Sequence, residues 1–307
     1  MADFDIVALG EPLVELNQTG QDPRQFLQGF GGDTSNAIIA AARQGARCAY
    51  LTRVGDDAFG AQFLALWREE DVDTSGVEVD PSAHTGLYFV QHGPDGHAFS
   101  YLRRGSAASL MTPASLDGGL IERARFLHVS GISLAISTSA CDTVFAAIAR
   151  ARAAGVQVSL DSNLRLRLWP LDRARAVLRE ALCHADLFLP SMDDMQHLTG
   201  NDDPERTLDW IRDAGATGVV VLKLGKDGAI IDDGKTRTPV AALRVDAIDA
   251  TGAGDCFAGS LLARRCQDDD WADAVRYANV AAALSTLGYG AVDPLPRAEQ
   301  VLAKLRT

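Results

Sequence analysis

The feature that most constrains the fold is an alternation of short apolar runs with longer amphipathic stretches. The apolar runs predict strands in DIVALGE, CAYLTRVG, RFLHVSG, VQVSLDSN, ADLFLPS and GVVVLKLG. Helical patterns separate many of them, as in DAFGAQFLALWREE, DTVFAAIARARAAG, DRARAVLREALCH and DPERTLDWIRDAG. Strands that alternate with helices form βαβ units, and right-handed crossovers place helices on both faces of the sheet. We predict an α/β fold with an open, mostly parallel sheet and helices on both faces.

Three local patterns refine this prediction. GGDTSNAIIAAARQG predicts a helix that Asp33 or Ser35 caps and Gly45 ends. GAIIDD and TRTPVA predict a hairpin, and three helices follow it. LRVDAIDA, before the first of those helices, is predicted to be a further strand.

One segment departs from the alternation, because TGLYFVQHGPDGHAFSYLRR has strand character on both sides of the turn GPDG. Pairing His92 with His97 opposes Tyr88 to Tyr101 and Gly86 to Arg103. Side chains alternate along strands, so the tyrosines and Arg103 share one face with Val90 and Phe99. The other face is apolar, with Leu87, Phe89 and Leu102. The hairpin either covers a polar ligand or lies on its own core. LVELNQ is expected to add a strand beside it without covering the apolar face.

Composition excludes several classes of function. The 307 residues are 47% hydrophobic and 23% charged, and the net charge of −12 disfavours general nucleic-acid binding. Five cysteines, an odd number without close pairs, favour a reduced, cytoplasmic protein. The acidic start is not a signal peptide, and no apolar run reaches the roughly 18 residues of a membrane span. The histidines show no H-x-x-x-H pair, so a metal site at His92 and His97 is not favoured.

The stretch IDATGAGDCFAGS carries the clearest chemical signal. Glycines let backbone N–H groups converge, and at a helix N-terminus those groups and the helix dipole bind anions such as phosphate. Asp255 beside them could accept a proton from a hydroxyl that attacks that phosphate. The alternative is an ordinary first-turn acid or N-cap. The stretch is neither a Walker A loop nor a G-x-G-x-x-G fingerprint.

DATGAGD, GFGGDTSNAI and LGKDGA resemble, in order and spacing, the signatures of the ribokinase-like sugar kinase family. The resemblance implies a main α/β domain (1–11, 31–84 and 104–307) and a small β-sheet lid (12–30 and 85–103). It also implies ATP and Mg²⁺ as co-substrate and cofactor, with phosphoryl transfer to a primary sugar hydroxyl. A monovalent cation requirement stays open.

The resemblance also assigns residues. Asp255 is the base, and the amides of Gly252, Ala253, Gly254 and Asp255 form the anion hole. Gly32 and Asn36 contact the sugar. The nucleotide side takes Asn163, Ser191, Lys223, Gly225, Gly228 and Asn279, with the adenine near the last four of these. The family often has Asn-x-x-Glu where this chain has Ser191 and Asp194, so Asp194 is expected to reach Mg²⁺ only through water.

Two arginines bear on the choice of sugar. Arg103 is on the tyrosine-bearing face of the hairpin, and Arg165 follows a strand end, where α/β ligands bind. Two guanidinium groups in one pocket favour a carboxylate, although solvated surface arginines would show the same pattern. YLRRGSA and DSNLRLRLW are similar to stretches of 2-keto-3-deoxygluconate kinases, which assigns Tyr88, Tyr101, Arg103 and Arg165 to substrate and Trp169 to packing.

These observations predict an ATP-dependent kinase that converts 2-keto-3-deoxygluconate to its 6-phosphate. The alternatives are a fructokinase or other neutral-sugar kinase, and a non-catalytic sugar-acid sensor. The bare apolar face of the lid predicts a homodimer or larger assembly, packed lid to lid with Phe89 near the axis. Lid-to-lid dimers in the family point the same way. No nucleic-acid or membrane partner is expected.

Overall fold

The computed structural model describes residues 2–18, 22, 24–93, 96–116 and 118–306; the side chains of residues 92–97 lie outside this description. The strands are β1 (Phe4–Leu9), β2 (Leu13–Gln18), β3 (Phe26–Gly31), β4 (Cys48–Gly55), β5 (Val72–Asp73), β6 (Val77–Asp80), β7 (Leu87–Gly93), β8 (Gly96–Leu102), β9 (Ala124–Ser130), β10 (Gln157–Asp161), β11 (Leu187–Leu189), β12 (Val219–Lys223), β13 (Ala229–Asp232) and β14 (Arg237–Val240). The α-helices are α1 (Asp33–Arg43), α2 (Ala58–Glu69), α3 (Gly131–Ala135), α4 (Thr138–Ala153), α5 (Leu171–Leu182), α6 (Met192–Thr199), α7 (Pro204–Asp213), α8 (Ala253–Cys266), α9 (Trp271–Ser285) and α10 (Ala298–Leu305).

The main sheet has the order β14-β13-β12-β11-β10-β9-β1-β4-β5, with β6 also paired to β4. The pairings from β12 across to β5 are parallel, and β13 and β14 are antiparallel at one edge. The predicted open, mostly parallel sheet is therefore confirmed, as is the predicted hairpin of β13 and β14. The parallel order brings the carboxyl ends of β1, β9, β10, β11 and β12 to one edge, where ligands bind in such sheets.

Helices cover both faces of this sheet. On one face α1, α2, α8, α9 and α10 share a buried apolar cluster with the sheet, and on the other face α3 to α7 share a second cluster. Trp67 of α2 is fully buried in the first cluster, where its ring lies 5.2 Å from Phe63 and 5.0 Å from Tyr50. Its indole N–H donates to Oγ of Ser35 at 3.0 Å. Within the described residues, no helix is both long and apolar enough to cross a bilayer.

A second, four-stranded sheet with the order β3-β2-β7-β8 forms the lid. The predicted hairpin register is confirmed, because Tyr88 opposes Tyr101 and His92 opposes His97 along β7 and β8. LVELNQ forms β2, which adds a strand beside the hairpin as predicted, and its pairing with β7 is parallel. The side chains of His92 and His97 lie outside the described residues, so a metal site there is not tested.

The prediction that the apolar face of the lid is left bare is wrong for part of that face. Phe30 of β3 packs edge-to-face on Phe63 of α2 with ring centroids 5.1 Å apart, and Leu87 also contacts the main core. Helix α2 thus covers the base of the lid. Farther out, Phe89 is half-buried against Phe26 of β3, and Leu102 is 52% exposed.

Two further local predictions are corrected. Helix α1 has Gly32 as its N-cap and no side-chain cap, because Asp33 and Ser35 bond elsewhere, to Asn163 and to Trp67. Residues 243–250, predicted as a strand, form none: β14 already ends the sheet, and the amide of Ile248 donates to the carbonyl of Thr286 after α9. The three helices expected after the β13–β14 hairpin are present as α8, α9 and α10.

Candidate active site

An open cavity of about 1540 Å³ lies at the carboxyl ends of the parallel strands, beneath the lid. Most of the sequence-predicted site residues line it: Gly32, Asn36, Tyr88, Tyr101, Arg103, Asn163, Arg165, Ser191, Asp194, Lys223, Gly225, Gly252, Gly254 and Asp255. Three do not. Ala253, in the first turn of α8, and Gly228 and Asn279 are not among its lining residues. Buried Asn279 donates to the carbonyls of Val240 and Ala241, so its amide holds the chain after β14.

Asp255 is the third residue of α8, and its carboxylate is held by the neighbouring helix. Asn36 of α1 donates from Nδ2 to Oδ2 of Asp255 at 2.8 Å. The other polar atom of the same amide, Oδ1 of Asn36, is buried and has no hydrogen-bond partner among the described residues. Asn36 therefore orients the carboxylate and also offers a free acceptor to a ligand hydroxyl.

The N-terminus of α8 supplies unpaired backbone donors. Gly252 is the N-cap in the left-handed conformation (φ 74°), and a Cβ there would meet Ala291 at 3.1 Å, so glycine is required. The amide of Ala253 donates to the carbonyl of Ala250 at 3.2 Å, and the first helical bond runs from Cys256 to Gly252. The amides of Gly254 and Asp255 lie between these and precede the helical ladder, which leaves them for an anion.

Carboxyl groups near Asp255 shape its proton affinity. Burial raises the pKa of Asp255 to about 8, and the negative charges of Asp33 and Asp161 add to the rise. Asn36 and Lys223 act in the opposite direction. Asp33 is itself buried, with Oδ2 accepting from Asn163 at 3.0 Å and Oδ1 without a partner among the described residues. A carboxyl group with such a pKa binds a proton readily near neutral pH.

A lysine on the sheet lies beside the same helix end. Lys223, the last residue of β12, donates from Nζ to Oδ2 of Asp161 at the end of β10, at 2.6 Å. A Cβ on Gly254 would lie 3.6 Å from that ammonium. The ammonium, paired with Asp161, therefore lies beside the N-terminal end of α8.

The lid side of the cavity is built from stacked phenols. Tyr88 and Tyr101 lie 5.6 Å apart in a stacked arrangement, and Phe99 stacks on Tyr101 at 6.3 Å. The Tyr88 hydroxyl donates to the buried carboxylate of Glu15 on β2, so its oxygen faces ligands as an acceptor. Burial raises the pKa of Tyr88 well above its usual value, with the charge of Glu15 contributing.

The two arginines of interest have different surroundings. Arg103 is 9% exposed, lies over the Tyr101 ring at 5.6 Å and forms an ion pair with the fully buried Glu11. Arg165 is exposed to the cavity, and Nη1 donates to the carbonyl of Leu164. Arg167 in the same loop donates to the carbonyl of Phe99 at 3.0 Å and so joins this loop to the lid. Arg103 is therefore not the solvated surface arginine of the alternative interpretation.

The opposite end of the cavity carries the predicted nucleotide-side residues. Ser191 caps α6, a helix that the sequence analysis did not predict, by accepting from the amide of Asp194. Asp194 in turn accepts from Oγ of Ser162 at 2.6 Å. Across the chain as described, no three His, Cys, Asp or Glu side chains cluster to hold a metal ion.

Family comparison decides the class of protein. The sequence model of pfkB family carbohydrate kinases matches residues 3–298. The chain belongs to the pfkB family of carbohydrate kinases. It is similar to 2-dehydro-3-deoxygluconokinase of Thermoproteus tenax, with 37% identity over 99% of this chain and 95% of that protein. Fructokinase-1 of Oryza sativa subsp. japonica is 33% identical over 97% and 96% of the two chains.

Solved structures agree with this assignment. The crystal structure of a fructokinase from Vibrio cholerae O395, in its fructose, ADP and calcium ion bound form, superposes with a TM-score of 0.87. It is 32% identical and covers 98% of each chain. The predicted ribokinase-like fold with its separate small sheet is confirmed.

Sequence reasoning missed several polar residues of this pfkB kinase site. Asp161 and Glu11 both follow or end a buried strand, which is a signal for a ligand-edge position. Asp33 was considered only as a helix cap, and Glu15 only as part of an alternating strand. These four carboxylates hold other site groups and are spread over 151 positions of the chain, from Glu11 to Asp161.

Proposed function

We propose that this pfkB kinase transfers the γ-phosphoryl group of ATP to the terminal primary hydroxyl of 2-keto-3-deoxygluconate (2-dehydro-3-deoxygluconate), forming the 6-phosphate. The observation that carries the proposal is that the cavity holding Asp255 is also lined by Arg103 and Arg165. A guanidinium group binds a carboxylate bidentately, and a neutral sugar offers none. The 37% identity to the Thermoproteus tenax enzyme supports the same substrate.

In the proposed mechanism, Asp255 accepts the proton of the attacking hydroxyl while Asn36 holds the carboxylate in place. The amides of Gly254 and Asp255 receive the charge that develops on the transferred phosphoryl group, and Lys223, which is paired with Asp161, has further N–H donors nearby. Tyr88 and the free Oδ1 of Asn36 accept hydrogen bonds from sugar hydroxyls. The lid covers the cavity and limits the access of water to the phosphoryl group.

Magnesium fits this arrangement as an ion carried by the nucleotide. Such an ion needs few direct protein ligands, because Mg²⁺ keeps most of its water. Asp194, fixed by Ser162 and Ser191, would hold it through water. When bound, the ion neutralises phosphate charge.

A fructokinase is the second candidate. Arg103 already has a buried carboxylate partner in Glu11, so only part of the arginine charge is available to an acid sugar. The 33% identity to the rice fructokinase favours the same alternative.

The test is ADP release with Mg-ATP across 2-keto-3-deoxygluconate, its galacto epimer, gluconate, fructose and ribose. The proposal expects the highest kcat/KM on a 2-keto-3-deoxy acid. The highest value on fructose would establish the second candidate, and turnover of no sugar would indicate a sensor.

We also propose that two copies pair through the outer part of the lid, where Phe89 and the exposed Leu102 remain uncovered by α2.

We propose that the protein is cytoplasmic, because its five cysteines are free and ATP is its proposed phosphoryl donor.

A further inference from the structure

A buried carboxylate joins the main sheet to the lid directly behind the substrate end of the cavity. Glu11 follows β1, and its side chain has no exposed surface. It accepts from Nη2 of Arg103, which follows β8, and from Oγ of Ser106 at 2.8 Å. The three residues therefore form one buried network around the base of the lid.

Burial raises the pKa of Glu11, and its polar neighbours Arg103 and Ser106 act in the opposite direction. Oγ of Ser106 accepts from the amide of Ser109 at 3.3 Å and donates its own proton to Oε1 of Glu11. The other oxygen faces a guanidinium group, which only donates. A proton on that oxygen would find no acceptor, and the guanidinium group therefore stabilises Glu11 as a carboxylate.

This pairing changes what Arg103 can contribute. A guanidinium in contact with a buried carboxylate is nearly neutral as a unit, and its attraction for a second anion is reduced. Its plane is fixed by Glu11 and by the Tyr101 ring beneath it, and its buried Nε has no partner among the described residues. Arg103 is thus preorganised to donate hydrogen bonds rather than to supply net charge.

Arg165 has the opposite character. It lines the same cavity and is exposed to it, and within the described part of the chain it forms no ion pair. Burial raises the pKa of Asp33, which lines the same cavity, and the positive charge of Arg165 acts in the opposite direction. A carboxylate bound beside Arg165 would meet a guanidinium group that forms no ion pair with any carboxylate among the described residues.

We propose that Glu11 is a positioning residue that orients Arg103 and cancels its charge, so that Arg165 selects sugars carrying a carboxylate. This inference rests on the proposed kinase activity and divides the work of its two arginines. Arg103 then supports acid and neutral sugars alike, while Arg165 discriminates between them.

The test measures one quantity, the ratio of kcat/KM for 2-keto-3-deoxygluconate to kcat/KM for fructose, in a set of variants. Arg165→Gln should lower the ratio by about tenfold or more, since it removes the charge partner of the carboxylate. Glu11→Gln should raise it by about threefold or more, because Arg103 then carries an uncompensated charge. A merely structural role for Glu11 would lower both kcat/KM values and leave the ratio unchanged.

Two further variants complete the set. Arg104→Gln removes an exposed arginine of the same cavity and controls for the loss of any one positive charge. The double variant Glu11→Gln/Arg103→Gln replaces a neutral pair by a neutral pair, so it leaves no buried charge unpaired and should keep the ratio within about threefold of the parent. It decides the question even if Glu11→Gln fails to fold, which circular dichroism would show.

Two results would overturn the inference. One is an unchanged or lowered ratio of the two kcat/KM values in a folded Glu11→Gln protein, and the other is a double variant in which this ratio falls as far as it does in Arg165→Gln. A parent that phosphorylates only fructose would instead refute the proposed function. In that case gluconate is used as an inhibitor of fructose phosphorylation. Its inhibition constant should then fall in Glu11→Gln and rise in Arg165→Gln, and the reverse pattern would reject the inference.

Discussion

Asn36 of α1 and Asp255 of α8, which are 219 positions apart in the chain, are joined by a 2.8 Å hydrogen bond inside the cavity. The bond depends on close packing of the two helices. A Cβ on Gly259 of α8 would lie 2.0 Å from the carbonyl oxygen of Ala37 and 2.9 Å from Cβ of Ala40. The proposed base and the residue that orients it are therefore placed by a contact in which only glycine fits.

Gly259→Ala should separate α1 from α8 and displace Asn36 from Asp255. Overpacking of this kind costs about 1–3 kcal/mol of unfolding free energy, and a misplaced base lowers kcat as well. Thermal unfolding and steady-state kinetics measure the two effects. Parent-like stability together with parent-like kcat would show that the close contact does not position the base.

Asp255→Asn keeps the shape of the side chain and removes the base. We expect kcat to fall by about 10² to 10⁴, with the Kd for ATP nearly unchanged, because the amide retains no proton affinity while the anion site stays intact. Calorimetric titration with ATP measures the Kd, and steady-state kinetics measure kcat. Asp193→Asn, at an exposed acid of the same cavity, is the matched control. Activity of the Asp255 variant within threefold of the parent would refute the assignment.

The pKa of Asp255 predicts the pH dependence of catalysis. The base works only when unprotonated, and its pKa is raised to about 8, so kcat/KM for the sugar should rise with pH through about 8. Asp33→Asn removes a negative charge that contributes to the rise, so the profile of that variant should move to lower pH. A profile that is flat from about pH 6 to 9 in the parent would contradict this pKa.

Phe89→Asp tests the proposed lid-to-lid assembly. A charge buried between two lids is costly, so the variant should sediment as a monomer while the parent sediments as a dimer or larger species. The kcat of the variant should fall as well, because a loosened lid misplaces the site residues that it carries. Tyr88 and Tyr101 lie on the lid strands, and Arg103 directly follows them. Leu302→Asp, at a partly exposed position on α10, is the control. A monomeric parent, or a variant that is still dimeric and fully active, would exclude the lid interface.

The sequence predicted those parts of the fold that local physics determines. The alternation of apolar and amphipathic runs gave the parallel sheet, and the GPDG turn set the pairing of Tyr88 with Tyr101. Glycines before Asp255 placed that residue at a helix start. In each case a short stretch of chain contained the whole signal.

Contacts between distant segments were not predictable in this way. Glu11 meets Arg103 across 92 positions, and Asp161 meets Lys223 across 62. The N-cap of α1 was predicted wrongly for the same reason: the side chains of Asp33 and Ser35 bond to Asn163 and Trp67, which only the folded chain brings near. The pairing with Glu11 is what separates the roles of Arg103 and Arg165.

The acid-sugar assignment is tested most directly by competition in one vessel. Equal concentrations of 2-keto-3-deoxygluconate and fructose compete for limiting Mg-ATP, and the phosphorylated products are separated by mass spectrometry. The product ratio equals the ratio of the two kcat/KM values. The proposed function predicts that the phosphorylated acid sugar predominates by about tenfold or more, as expected if its carboxylate binds a free guanidinium. A predominance of fructose phosphate would contradict it.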